Sequence, residues 1–99
     1  MTINLEKNGT TLTVKPEGRV ATNTAPILAD KLNEALGDTT NLVFDFSDVE
    51  YISSAGLRVL LAMQQKMDER AGAMKVLNAN EAVMQVFDMA GFFAILDVE

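Results

Sequence analysis

The order of patterns along the chain predicts an α/β fold: one mixed β-sheet, begun by an antiparallel N-terminal hairpin and continued by parallel strands, covered by amphipathic helices. Three observations predict it. A turn signal at Asn8-Gly9 separates two alternating segments, and short apolar segments then alternate with stripes at helical spacing. The third is size, since 99 residues with 48% hydrophobic and 22% charged side chains suit one core and not two. A single domain over residues 1–99 is expected.

In TINLEKNGTTLTVKP, Ile3 and Leu5 precede the turn and Leu12 and Val14 follow it, and Asn8-Gly9 suits the positive φ of a type I′ hairpin. Pro16 and Gly18 interrupt the second strand, which predicts a bulge or an edge before Arg19 and Val20 resume it. ATNTAPILADKLNEALGD predicts a helix capped by Asn23 or Thr24, with Pro26 in its first turn, a stripe of Ala25, Leu28, Ala29, Leu32 and Leu36, and Gly37 as its stop. NLVFDF reads as a strand covered on both faces, with Asp45 as its one charged residue.

After YISS, the stripe Leu57, Leu60, Leu61, Gln64 and Met67 predicts a second helix, closed by Gly72. MKVLNA follows as another buried strand. NEAVMQVFDMAG gives a third helix capped by Asn80, with Val83, Val86, Phe87 and Ala90 on one face and Gly91 as its stop, and Ile95 to Val98 can add a last strand. Met63, Met67, Met84 and Met89 read as core filling. The predicted order is β-β-α-β-α-β-α, with parallel strands joined by right-handed crossovers.

Composition narrows the function. With 8 basic and 14 acidic side chains the net charge is −6, which disfavours nucleic acid and anionic membranes as partners. No apolar segment is long enough to insert in a bilayer and no secretory signal is visible, so a cytoplasmic location is expected. The chain has neither Cys nor His, which removes disulfides, thiol chemistry and the usual zinc sites, and no loop has calcium-binding spacing. No metal or cofactor is expected.

The segment YISSAGLRVL places Ser53 and Ser54 at the mouth of the second helix. A serine needs a general base to become a nucleophile, and without His a Ser-His-Asp arrangement is impossible. None of Lys7, Lys15, Lys31, Lys66 and Lys75 lies within a few residues, and the upstream glycine of a nucleophile elbow is missing. The chain reads as a binding module rather than an enzyme. Ser53 is the natural N-cap, and Ser54 then sits in the first turn with the small residues Ala55 and Gly56 keeping its approach open. A phosphate added to Ser54 would meet the positive helix end and put a hydrated charge into any interface formed there. Asp45 reads as a loop-organising acceptor for the turn after its strand. Arg58, one turn into the helix, reads as solvated or as an interface anchor.

FDFSDVEYISSAGLRVLL resembles the signature of the STAS domain, in particular that of the anti-sigma factor antagonists, and GRVATNTAPIL resembles the same family's earlier G-x-x-D-x-x-T-A segment. The resemblance places Ser54 on the family's phosphorylated serine, with Ser53 as the alternative, Gly56 and Leu57 on the following Gly and Leu, and Asp45 on the Asp of the preceding strand. It puts Thr22, Asn23 and Thr24 in the loop beside the phosphorylation site, so the implied partner-binding set is Thr22, Asn23, Thr24, Ser53, Ser54, Ala55, Gly56, Leu57 and Arg58. Two positions depart from the family: Ser53 stands where an Asp often precedes the phosphorylated serine, and Ala21 replaces the Asp of the earlier segment. The implied function is partner switching. The unphosphorylated form binds an anti-sigma factor that is also a serine kinase of the GHKL ATPase type, phosphorylation releases it, and a PP2C-like phosphatase resets the cycle. The alternative within the family is a non-phosphorylated STAS subunit that docks on a transporter or another signalling complex. A monomer or weak dimer is expected.

Overall fold

The computed structural model describes residues 1–99. In chain order the elements are β1 (Thr2–Asn8), β2 (Thr11–Val20), α1 (Ala25–Ala35), β3 (Asn41–Asp45), β4 (Val49–Ile52), α2 (Ser54–Glu69), β5 (Ala73–Leu77), α3 (Glu81–Met89), a 3-10 turn (Phe92–Ala94) and β6 (Asp97–Val98). The strands line up as β1-β2-β3-β5-β6, with β4 beside the far end of β2. Only β1 and β2 are antiparallel, so the expected mixed sheet with its opening hairpin is present. No helix is long and apolar enough to cross a membrane.

The ten-residue strand β2 holds the sheet together. Thr11 to Val14 pair with β3, and Gly18 to Val20 pair with β4. Pro16 falls between these two ladders, where its missing N–H leaves no bond unmade on that side. The register shifts between Gly18 and Arg19, where the Pro-Gly interruption predicts a bulge or an edge, but the extra residue, Glu50, belongs to the facing strand β4 and not to β2. At the other end, Asn8 pairs with Thr11, so the two loop residues are Gly9 and Thr10. Gly9, at φ +63°, holds the first loop position while Thr10 keeps a negative φ. That is the pattern of a type II′ turn, one residue later than the I′ turn predicted around Asn8-Gly9.

All three helices pack on one face of the sheet. Leu12, Val14, Leu42, Phe44, Met74 and Val76 alternate towards them and join Leu28, Leu32, Leu60, Met67, Val83 and Phe87 in one core. β3 is therefore not covered on both faces by helices. Val43 points the other way, between Thr13 of β2 and Lys75 of β5, and is buried by these neighbours. The run Leu42-Val43-Phe44 looks doubly covered because a central strand loses solvent contact to its flanking strands as well as to helices.

Strand β4 was expected as loop. Val49 and Ile52 are its core residues, three positions apart instead of two, because β4 carries one extra residue, Glu50, between its pairings with Gly18 and Arg19. Two other expectations shift. Met89 is 88% exposed and does not fill the core, although Met63 and Met67 do. Helix α2 closes with Ala71 at φ +54°, before Gly72, whose own role is to let the Thr40 carbonyl pass close by. Arg70, on the same turn, donates to the carbonyls of Gly37 and Thr39 at 2.8 and 3.0 Å and so ties the ends of α2 and α1 together.

Asn80 caps α3 as predicted, its Oδ1 accepting from the Val83 N–H at 2.8 Å. Its amide also donates to the carbonyls of Val49 and Glu50, at 3.0 and 3.1 Å, on the side of β4 that lacks a strand partner. Asn80→Ala removes cap and tie together, and is expected to lower unfolding free energy in urea by about 2 kcal/mol. Asn80→Asp, which keeps the cap and loses the donor, should fall between the two proteins.

Candidate functional site

Val20 and Ile52 are paired neighbours at the ends of β2 and β4. The segments that leave these strands, residues 21–24 and 53–56, therefore emerge side by side, and the Ser53 N–H donates to the Val20 carbonyl at 2.9 Å. This register brings Thr22, Asn23 and Thr24 next to the start of α2. Thr22 and Asn23 are exposed, and Thr24 is half-buried. Thr24 is the N-cap residue of α1 by position, but its hydroxyl does not cap the helix. It accepts from the Ala21 N–H at 2.8 Å and donates to the Arg19 carbonyl at 2.7 Å, which folds the loop back on the end of β2.

Ser53 and Ser54 have different surroundings. Ser53 is the N-cap residue of α2, with the extended backbone of a cap (φ −98°, ψ 177°), and its carbonyl accepts the first helical bond, from the Leu57 N–H at 3.0 Å. Its side chain does not cap, contrary to expectation. The hydroxyl oxygen is buried and has no hydrogen-bond partner. Ser54 is the first helical residue and is exposed. The first turn of α2 carries no acidic residue and no side-chain cap, so the positive helix end is left uncompensated beside the Ser54 hydroxyl.

Gly56 and Leu57 do not belong to the exposed surface predicted for them. Leu57 is a core residue, and Gly56 is buried. A Cβ on Gly56 would lie 2.6 Å from Ile52 Cγ1, 2.8 Å from Val20 Cγ1 and 3.0 Å from the Val20 carbonyl oxygen. Gly56 thus lets α2 rest directly on β2 and β4 and does not keep an approach open. Of the predicted set, Thr22, Asn23, Ser54 and Arg58 are exposed, Thr24, Ser53 and Ala55 are half-buried, and Gly56 and Leu57 form the floor beneath them.

Asp45 stands apart from this group. It is level with Lys15 on β2, six residues before Ala21, or roughly 20 Å away at the rise of a strand. Its Oδ1 accepts from the Ser47 N–H at 3.0 Å and from the Asn78 amide at 3.1 Å. The Asn78 bond foremost, and then the Ser47 bond, hold its carboxyl below the usual carboxylate value. It fixes the turn from β3 to β4, which is the loop-organising role expected of it. The surface depressions are shallow. One of about 250 Å³ lies on the helix-free face beside Asn4, Thr13, Lys15 and Asp45, and one of about 170 Å³ lies along α1 beside Ile27 and Lys31.

A sequence model of the STAS domain matches residues 2–99. The chain belongs to the STAS domain family. It is 26% identical over 96 residues to the anti-sigma-B factor antagonist of Bacillus subtilis, an alignment covering 97% of this chain and 88% of the relative. The STAS fold is also shared with a solved anti-sigma factor antagonist of Mycobacterium paratuberculosis, at a TM-score of 0.86 and 26% identity over 98% of this chain and 83% of that one. The unphosphorylated anti-sigma factor antagonist SpoIIAA gives a TM-score of 0.85 at 20% identity, covering 99% of this chain and 88% of that one.

In this STAS domain one neighbour of the site escaped the sequence reading. The Arg19 guanidinium lies 5.0 Å from the centre of the Tyr51 ring, a stacked cross-strand pair one residue before Val20 and Ile52. Only the pairing of β4 with β2 makes these two residues neighbours, and β4 was the strand that periodicity did not reveal.

Two expectations follow from this geometry. Gly56→Ala should cost about 1–3 kcal/mol of stability by chemical unfolding, because Ile52, Val20 and the Val20 carbonyl must all give way. Asp45→Ala should cost about 1 kcal/mol at neutral pH. Because the folded-state value of Asp45 is depressed, its contribution is present above the unfolded-state pKa and lost as pH falls through the folded one. Urea midpoints of Asp45→Ala and the parent should therefore converge in acid.

Proposed function

We propose that this STAS domain is an anti-sigma factor antagonist whose binding is switched by phosphorylation of Ser54. The unphosphorylated surface around Thr22, Asn23, Thr24, Ser54, Ala55 and Arg58 binds an anti-sigma factor that is a serine kinase of the GHKL type, so that a sigma factor is released. Phosphate on Ser54 ends that binding, and a PP2C-like phosphatase restores it. The protein acts in the cytoplasm as a binding module.

The observation that carries the reading is the contrast between the two serines. The Ser53 oxygen is buried, whereas Ser54 is exposed at a helix start with no acidic residue in its first turn. A kinase can reach the second hydroxyl and not the first. The relatives named as anti-sigma factor antagonists support the choice of partner. The chemistry of the switch is electrostatic: a phosphoserine adds about −1.5 to −2 charges and a hydrated group at the centre of a surface that would otherwise be covered. The backbone beneath, seated through Gly56 on Val20 and Ile52, has no slack to absorb the group by moving.

Incubation with ATP and the kinase that binds it should place phosphate on Ser54, read by peptide mass spectrometry, and Ser54→Ala should abolish the label. Phosphate confined to any other residue would sink the reading. Ser54→Asp should weaken kinase binding by about 10- to 100-fold while moving unfolding free energy by less than about 0.5 kcal/mol, since the residue is exposed.

A further inference from the structure

The proposed switch places one full positive charge within reach of the phosphate. Arg58 lies four residues after Ser54 on α2, and both are exposed on the same stripe of the helix. Side chains at this spacing are neighbours on a helix surface, and a negative group N-terminal to a cation is the favourable order. Arg58 takes part in neither of the molecule's salt bridges, which use Lys7 and Lys15. Other cations are engaged elsewhere: Arg19 on the Tyr51 ring, Lys66 on Asn33 Oδ1, and Arg70 on two carbonyls. The positions that Arg58 can reach along its helix are Ser54, Ala55, Leu61 and Ala62. None is acidic. In a chain of net charge −6, this guanidinium has no anionic neighbour on α2 until Ser54 gains a phosphate.

We propose that Arg58 is the built-in counter-ion of the phosphorylated state: its guanidinium folds back one turn and holds the phosphate on Ser54 by paired N–H donors. The inference rests on Ser54 being the modified residue. Guanidinium and phosphate match in geometry, and such pairs are stronger than neutral hydrogen bonds. The switch then works in two ways. The phosphate adds negative charge to the surface, and it also withdraws from an acidic group on a partner the cation that stands on the same helix as Ser54. Lysine at this place would supply charge without the fork and do the work less well.

The test uses the full chain with phosphoserine installed at position 54 during synthesis, so that it needs no kinase. The readout is the ³¹P chemical shift followed through pH 4 to 9. The second ionisation of the phosphate, near pH 6 when unperturbed, should fall at a pH lower by about 0.5 unit in the parent than in Arg58→Gln. Arg58→Lys should lie between, and the difference should shrink in 1 M NaCl. The unmodified parent and Arg58→Gln should unfold at the same urea concentration, since Arg58 makes no structural bond. Coincident ³¹P titrations of the parent and Arg58→Gln would overturn the proposal while leaving the switch itself standing. A kinase that ignores Ser54 would remove the switch while leaving the titration difference in place.

Discussion

The start of α2 lies on the ends of β2 and β4 with no side chain between them at Gly56, and the rest of the site depends on that contact. Ile52, Val20 and the Val20 carbonyl occupy the volume that any larger residue would need. Close approach fixes the direction of the helix, and the direction decides which serine faces outward. Ser53 turns its hydroxyl into the protein, where it stays unpartnered, and Ser54 is left in solvent. An unsatisfied buried hydroxyl is unfavourable by about 1–3 kcal/mol. The fold bears that cost at the residue next to the exposed Ser54, at the edge of a core that includes Val20, Ile52 and Leu57.

Much of this was legible from sequence because local signals and global topology agree. The hairpin, three helices and two central strands each carry a turn residue, a cap or a stripe of the right period, and those signals follow directly from steric and solvent effects on short segments. The Pro16-Gly18 interruption marks where β2 passes from β3 to β4, and Asn80 became the cap of α3. Where reading failed, non-local structure had changed the local pattern. Val49 and Ile52 are three apart because β4 holds an extra residue, Glu50, that its pairing with β2 leaves out, so no period-two signal exists for β4. Asn80 reads as a cap, but its second role on the β4 carbonyls needs the strand to be known first.

The site residues show the same division. Ser54 and Arg58 are exposed helix-start positions, and a helical stripe of Leu57, Leu60 and Met67 already implies the face opposite them. Gly56 was legible only as a small residue. In the sequence its smallness reads as access from outside, whereas the space it leaves is filled from inside by β2 and β4. Small size in a sequence does not say on which side the neighbour stands.

Strand β2 also gives the molecule a direction. Its first residue follows the Gly9-Thr10 loop and its last precedes the Thr22–Thr24 loop, so ten residues of extended chain separate the hairpin tip from the serine site, roughly 30 Å. The two ends share no loop and no side-chain bond. A tether, dye or fused domain attached at the hairpin tip would leave the opposite end facing outward, which makes that tip the natural anchor when the protein is fixed to a surface for binding measurements.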